Sequence, residues 1–494
     1  MKKYTLLIST FLTIGAGLNA QNITFETDTS NILGLGTNHG TSKFADVDGD
    51  GDQDLFISGN SPIIGPATAM YTNDGNGIFT QNSSSLTSLD NSSSAFADID
   101  GDGDLDLVYT GTDFYLGFGV VSQTMIYKND GAGLFTQVTA PGGVFVTSGL
   151  EGVHDGSVDF GDMDSDGDQD LLITGYTNQL GEDTTILYEN DGAGGFTFVT
   201  NTPFYNAHNS LAKFIDIDGD NDLDVLLTGK EGGFGVRLLE FYKNDGNGNF
   251  THYVVNIAGA EGVSHSAFDF SDVDGDNDLD ILVTGETQSN QAFTALYLND
   301  GAGDFSIASG TTFETLHSGD VQFNDIDTDG DEDVLLTGFD GTNYHSILYE
   351  NNGNGIFSEV VNMPFVGSKD GSIDFADIDG DNDSDVIIIG TENAQNSIKT
   401  KIYLNNSQQF LSVENPLEDV LVSIYPNPVL NELFIELEGQ EFISIDVIDF
   451  SGKVIQKITN DATKSINVSN LPQGIYVLNV FTKKGVITNK FIKQ

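Results

Sequence analysis

The chain runs to 494 residues, with 75 acidic against 18 basic side chains, a formal net charge of −57 at pH 7, and no cysteine. No disulfide can staple it, and beyond the N-terminus no stretch is apolar or long enough to span a bilayer. So acidic a surface repels nucleic acid and anionic membrane, which excludes both as partners.

Residues 1–20 read as a secretory signal peptide. Lys2 and Lys3 lead an apolar stretch from Leu6 to Ile14, and Leu18-Asn19-Ala20 supplies a small-residue cleavage site. The mature protein is therefore expected to leave the cytoplasm. Phe25 follows, 21 residues before the first aspartate of the repeats. Phe79 stands 19 residues before the second run. The N-terminal segment thus reads as a fourth strand belonging to the last repeat. Tyr403-Leu404-Asn405 to Phe410 offers a hairpin for the same slot, and the sequence leaves the choice open.

Residues 21–412 repeat seven times around runs of five aspartates at alternate positions. The runs are Asp46, Asp48, Asp50, Asp52, Asp54; Asp98, Asp100, Asp102, Asp104, Asp106; and Asp162, Asp164, Asp166, Asp168, Asp170. They continue as Asp216, Asp218, Asp220, Asp222, Asp224; Asp272, Asp274, Asp276, Asp278, Asp280; Asp325, Asp327, Asp329, Asp331, Asp333; and Asp377, Asp379, Asp381, Asp383, Asp385. Their first members are spaced by 52, 64, 54, 56, 53 and 52 residues, a period that marks stacked or radial repeats. Each unit has one order. A short strand ends in Phe two residues before the run, as at Phe44 and Phe375. An apolar β-rich segment ending in Gly follows the run, as in Val225–Gly229. A variable loop then leads to a strand ending Tyr-x-Asn and a Gly-rich hairpin turn, as in Tyr242 to Phe250. Four short strands per unit, seven units and no helical period predict an all-β fold, a seven-bladed β-propeller.

Carboxylates this dense repel one another unless a cation joins them, and calcium is the hard cation that takes oxygen ligands. Positions 1, 3 and 5 of each run place carboxylates around one point, position 7 offers its backbone carbonyl, and position 9 a further carboxylate. Position 6 is Gly51, Gly103, Gly167, Asn221, Asn277, Gly330 or Asn382, residues that tolerate a left-handed turn. An EF-hand needs Glu at position 12. Here position 12 is apolar or aromatic, from Ile57 to Ile388, so the runs read as β-hairpin calcium loops holding up to seven Ca2+. Magnesium, which keeps its waters, suits such cages poorly.

Two other features stand out. His39, His154, His208, His265 and His317 lie seven or eight residues before the first aspartate of their unit, with Asn91 and Lys369 filling the slot elsewhere. They read either as residues capping the loop into the inner strand or as a polar ring at the mouth of a central channel. The aromatic loop Asp113–Phe118 lies in the longest step, and its Tyr115 and Phe118 are candidate ligand contacts, with packing on a neighbouring blade as the plainer alternative. No nucleophile elbow and no His-Glu-x-x-His motif occurs.

The pattern Phe-Ala-Asp-Ile-Asp-Gly-Asp-Gly-Asp-Leu-Asp at residues 96–106 resembles the FG-GAP/VCBS repeats of integrin-α-type propellers. That resemblance implies calcium loops between the first two strands of each blade and ligands bound on the opposite face. After a linker at 413–420 the texture changes, and residues 421–494 balance seven Lys against seven acidic residues. Ile424-Tyr425-Pro426-Asn427-Pro428, Gly452-Lys453-Val454, Leu471 to Tyr476 and Lys490-Phe491-Ile492-Lys493 resemble the type A C-terminal sorting domain of the type IX secretion system. The tail is expected to be a small β-sandwich, and the resemblance implies export by that machinery, with release or attachment at the outer surface. The expected function is a calcium-binding recognition module, without enzymatic activity, for a glycan or protein. The alternative is a polysaccharide lyase or hydrolase working on the channel face.

Overall fold

The computed structural model describes residues 23–28, 36–115, 119–139, 149–232, 235–255, 257–392, 397–407, 422–437, 442–448, 453–458, 465–482 and 485–494. The signal segment, the 413–420 linker, Phe118 and Phe410 lie outside them. No α-helix occurs among the described residues. The chain divides into two compact units, residues 1–408 and 409–494.

The first unit is a seven-bladed propeller. Blade three shows the plan: Val158–Gly161, Asp170–Thr177, Glu182–Asn190 and Phe196–Phe198 form one antiparallel sheet in sequence order. The aspartate run joins the first strand to the second, and each second strand starts at the ninth position of its run, at Asp54, Asp106, Asp170, Asp224, Asp280, Asp333 or Asp385. Second strands are covered on both faces, so they read as unbroken apolar runs. Leu55, Phe56 and Ile57 have no exposed surface, and neither do Leu171, Leu172 and Ile173. A second-strand side chain on either face fills the seam with the adjoining blade. Leu172 of blade three, for instance, packs with Val225 and Leu227 of blade four. One apolar cluster fills the last seam, joining Ile378, Ile387, Ile389 and Ile402 to Leu55, Ile57, Ala69 and Tyr71. That cluster closes the ring.

The slot left open by the sequence is taken by the N-terminal strand. Phe25–Thr27 pairs antiparallel with Ser397–Asn405, Phe25 opposite Asn405. Phe25 is buried against Phe365, ring centroids 5.0 Å apart, and joins the cluster of Ile23, Tyr403 and Ile388. The amide of Thr24 lies 3.3 Å from Ser407 Oγ, 383 positions away in sequence.

The second unit is a small β-sandwich. One sheet orders Val422–Tyr425, Glu432–Leu437 and Ser465–Asn467, the other Val454–Ile458, Phe442–Ile448, Gly474–Thr482 and Gly485–Lys493. Val429, Leu433, Ile445, Val447, Leu478, Val480 and Phe491 fill the space between them without exposure.

Candidate metal centres

In blades one to four the aspartate run curls so that three of its carboxylates converge. Oxygens of Asp46, Asp48 and Asp50 lie within 4.8 Å of one another, as do those of Asp216, Asp218 and Asp220. In blades two and three the same span gathers positions 1, 3 and 9: Asp98, Asp100 and Asp106, and Asp162, Asp164 and Asp170. The curl is held from within. Asp46 accepts the amides of Gly49 at 2.8 Å and Gly51 at 3.0 Å, and Asp50 accepts that of Asp52 at 3.0 Å. Position 6 has positive φ in all seven loops, from 69° at Asn382 to 97° at Gly167. Position 4 does too, and there Ser165 and Thr328 adopt φ of 61° and 58°, conformations that cost a non-glycine residue energy.

One oxygen in the loops has nothing to bind. Oδ1 of position 3 is buried and without a hydrogen-bond partner in Asp48, Asp100, Asp164, Asp218, Asp274 and Asp379. A buried carboxylate oxygen left so is costly unless a cation meets it. The donor set is all carboxylate and carbonyl oxygen, which suits a hard divalent ion, so these loops fit calcium. Positions 1, 3, 5 and 9 would hold it. The position-7 side chains turn elsewhere. Asp52, Asp104, Asp168, Asp222, Asp278 and Asp331 lie against Gly75, Gly131, Gly192, Gly246, Gly301 and Gly353 of the outer turn, where no Cβ has room. In a filled loop, position 7 would offer the centre its backbone carbonyl.

Position 9 has a second duty that sequence reasoning missed. Asp54 accepts the Val47 amide at 3.0 Å on one oxygen and the Asn73 amide at 2.8 Å on the other. All seven blades repeat this pair; Asp224 takes Ile217 and Asn244, and Asp385 takes Ile378 and Asn405. The asparagine, the last residue of Tyr-x-Asn, then donates its side-chain amide to the loop of the preceding blade. Asn129 Nδ2 reaches the Val47 carbonyl at 2.7 Å, Asn244 reaches Met163 at 2.6 Å, and Asn73 reaches Ile378 at 2.8 Å across the closure. The loops are thereby chained into one belt around the ring. Burial pushes the position-9 carboxyls up, to about 6 at Asp54, Asp106, Asp170 and Asp224, about 7 at Asp280, and about 8 at Asp333 and Asp385. A divalent cation beside them would reverse that direction.

At the other end of the channel the predicted histidine ring resolves into two registers. The mouth is formed by residues seven before each run: His39, Asn91, Asp155, Asn209, His265, Ser318 and Asp370, all with φ between 45° and 55°. Neighbours are linked by backbone bonds, His39 to Asp370 at 2.6 Å and Asn209 to Asp155 at 2.6 Å among them. Only His39 and His265 of the five histidines belong to this ring. His154, His208 and His317 stand one residue earlier and point into other surroundings. His154 Nδ1 lies 3.0 Å from Ser122 Oγ of blade two, and His208 Nδ1 2.9 Å from Asp183 of blade three. His317 packs edge-on to Phe339. Tyr115 ends the second strand of blade two, opposite Gly119, at the hairpin tip far from the aspartates. A separate mixed group, Glu314, Asp340 and His345, occurs in blade six, with His345 Nε2 2.9 Å from Asp340 Oδ2.

The channel itself holds a cavity of about 680 Å3. Its carboxylates serve the backbone. Inner strands are edge strands, and their amides need partners. Asp159 Oδ2 accepts the Phe214 amide of the next blade at 2.8 Å, Asp269 that of Phe323 at 3.0 Å, and Asp374 that of Phe44 at 2.5 Å. Asp320 does the same for Ile373 at 2.9 Å. Lys43 and Lys213 neutralise two of them, at 3.4 Å from Asp374 and 3.1 Å from Asp269.

Comparison with known proteins adds the following. The FG-GAP-like repeat matches at residues 46–109, 162–227, 216–283, 272–336 and 325–388. The secretion system C-terminal sorting domain matches at residues 423–494. No curated protein matches. Two solved chains described as extracellular domains of hybrid two-component systems from B. thetaiotaomicron align with TM-scores of 0.41 and 0.40, each at 11% identity. The alignments cover 95% and 96% of this chain but 57% and 58% of theirs, so it spans under two thirds of either. No helix among the described residues is long and apolar enough to cross a membrane.

Proposed function

The chain belongs to the FG-GAP-like repeat family and carries a secretion sorting tail, so it acts outside the cell, and we propose that it is a calcium-loaded recognition module for a surface glycan or protein. The observation that carries the calcium reading is the set of six buried position-3 oxygens with no partner. In this reading Ca2+ supplies the positive charge that lets four carboxylates share one point, and binding free energy becomes folding free energy. The tail would engage the type IX machinery.

Recognition is best placed on the face away from the aspartates. There the hairpins between second and third strands end, and their tips differ from blade to blade. Ile63 is 84% exposed, and Ile64, Val120, Leu180 and Val236 are exposed as well. The tips of blades five and six carry Gln288-Ser289-Asn290-Gln291 and Asp340-Gly341-Thr342-Asn343 instead. Exposed apolar groups in blades one to four favour a binding patch off the propeller axis. The enzyme reading draws on Asp159, which burial pushes to about 6. That carboxylate, like the other channel aspartates, is engaged by a backbone amide, which favours a structural role.

The test is a glycan and protein array probed with the calcium-loaded full chain, with a product assay on every hit. Binding without turnover is expected, weakened at least tenfold by joint Ile63→Asp and Ile64→Asp substitution at unchanged calcium uptake. Release of a shortened polysaccharide would overturn the reading.

A further inference from the structure

The residue between Tyr and Asn at the end of each third strand is Thr72, Lys128, Glu189, Lys243, Leu298, Glu350 or Leu404. In blades two and four it is a lysine that reaches the aspartate loop of its own blade. Lys128 Nζ lies 2.6 Å from Asp100 Oδ2, and Lys243 Nζ lies 2.8 Å from Asp218 Oδ2. In both cases the other oxygen, Oδ1, is the buried, unpartnered one. The lysine therefore occupies the back of a carboxylate whose front faces the centre.

Neither lysine is free to swing away. Lys128 also donates to the Ala193 carbonyl of blade three at 3.0 Å, and Lys243 to the Ala302 carbonyl of blade five at 3.2 Å. Lys243 further lies 4.1 Å from the Tyr253 ring centroid. Resting on the calcium reading above, we infer that the seven loops fall into two affinity classes, with the loops of blades two and four the weaker because a fixed ammonium stands behind their position-3 ligand.

With a calcium–oxygen distance of about 2.4 Å, ion and ammonium would be roughly 5 Å apart. Even at the dielectric of bulk water a double and a single positive charge at that distance lower the affinity by about tenfold, and more where solvent is excluded. The separation is shorter than the Debye length of about 8 Å, so physiological salt screens it incompletely. In blades three and six the same register carries Glu189 and Glu350, whose negative charge bears weakly on Asp164 and Asp327, behind burial and the neighbouring aspartate of the loop, and keeps those two loops within the tighter class.

The test is a calorimetric calcium titration of the chelator-stripped full chain. Native protein should take up five ions in a tighter class and two in a class about tenfold weaker or more. Lys128→Thr with Lys243→Thr, which puts the blade-one residue in both places, should move the two into the tighter class. Thr72→Lys should do the reverse and leave four tight sites. Seven ions bound in one class by the native chain, or a native split that the lysine variants leave unchanged, would overturn the inference while leaving calcium binding intact. A chain that binds no calcium would sink both.

Discussion

The side chain that does most for its size is the asparagine closing each third strand. Asn244 donates to the Met163 carbonyl of blade three at 2.6 Å and to Leu223 of its own loop at 3.0 Å, while its backbone is held by Asp224. Asn244→Ala strands a buried carbonyl in the seam and should cost about 1–3 kcal/mol in urea unfolding. Asn247→Ala, at an exposed turn position, should stay within about 0.5 kcal/mol. The position-9 aspartates give a pH signature. Without an ion the folded state holds their protons more tightly than the unfolded chain does. That stability is complete below the ordinary carboxylate range and is lost as pH rises through about 6 to 8. In chelator the melting temperature should therefore fall between pH 5 and pH 8. In calcium, whose ligands must be deprotonated, it should rise over the same interval. The convergence of positions 1, 3 and 5 was legible because alternation in a tight curl allows little else. The duty of Asn244 was not, since its partner is 81 positions away. Ser165 and Thr328 at positive φ were equally hidden, because the glycine preference of position 4 shows only when all loops are compared. The histidines misled by one residue: a register of seven faces the mouth, and a register of eight faces a seam or the blade's own strands.

At the scale of the strand, the second strands announce themselves and the first strands do not. A run such as Asp224-Val225-Leu226-Leu227 can only be covered on both faces, and it is. The first strand exposes one edge to the channel, and what makes that edge stable is a side chain from the preceding blade. Asp159 for Phe214 and Ser157 Oγ for Ala212, at 2.8 and 2.9 Å, are such caps. Asp159→Ala should destabilise by about 1–3 kcal/mol, and Asp159→Asn, which keeps an acceptor oxygen, by less. Denaturant unfolding of the two variants distinguishes this role from a catalytic one, in which Asn would be as damaging as Ala and stability would not move. Sequence alone could not show these caps, because each pairs residues about one repeat apart whose types look ordinary in isolation.

At the largest scale, the propeller unit is a ring shut by its own first strand. Both the period of the repeats and the change of texture near Leu421 were visible in the residues, whereas the choice between two closing strands turned on Phe25 fitting against Phe365 and Tyr403. Deleting residues 421–494 should abolish appearance at the cell surface in fractionation while the propeller, a compact unit by itself, still unfolds cooperatively. The closing strand has a further consequence. The earliest segment of the ring to be synthesised pairs with the latest, so the N-terminal strand has no sheet to join until the last blade has been made. A molecule clipped after Asp28 keeps six complete blades and bares the backbone of Ile402–Asn405, an unpaired edge of the kind that recruits strands from other chains. The released segment that carries Phe25–Thr27 is then a ligand for the gap it left, and a neighbour's N-terminal strand is a rival for the same place.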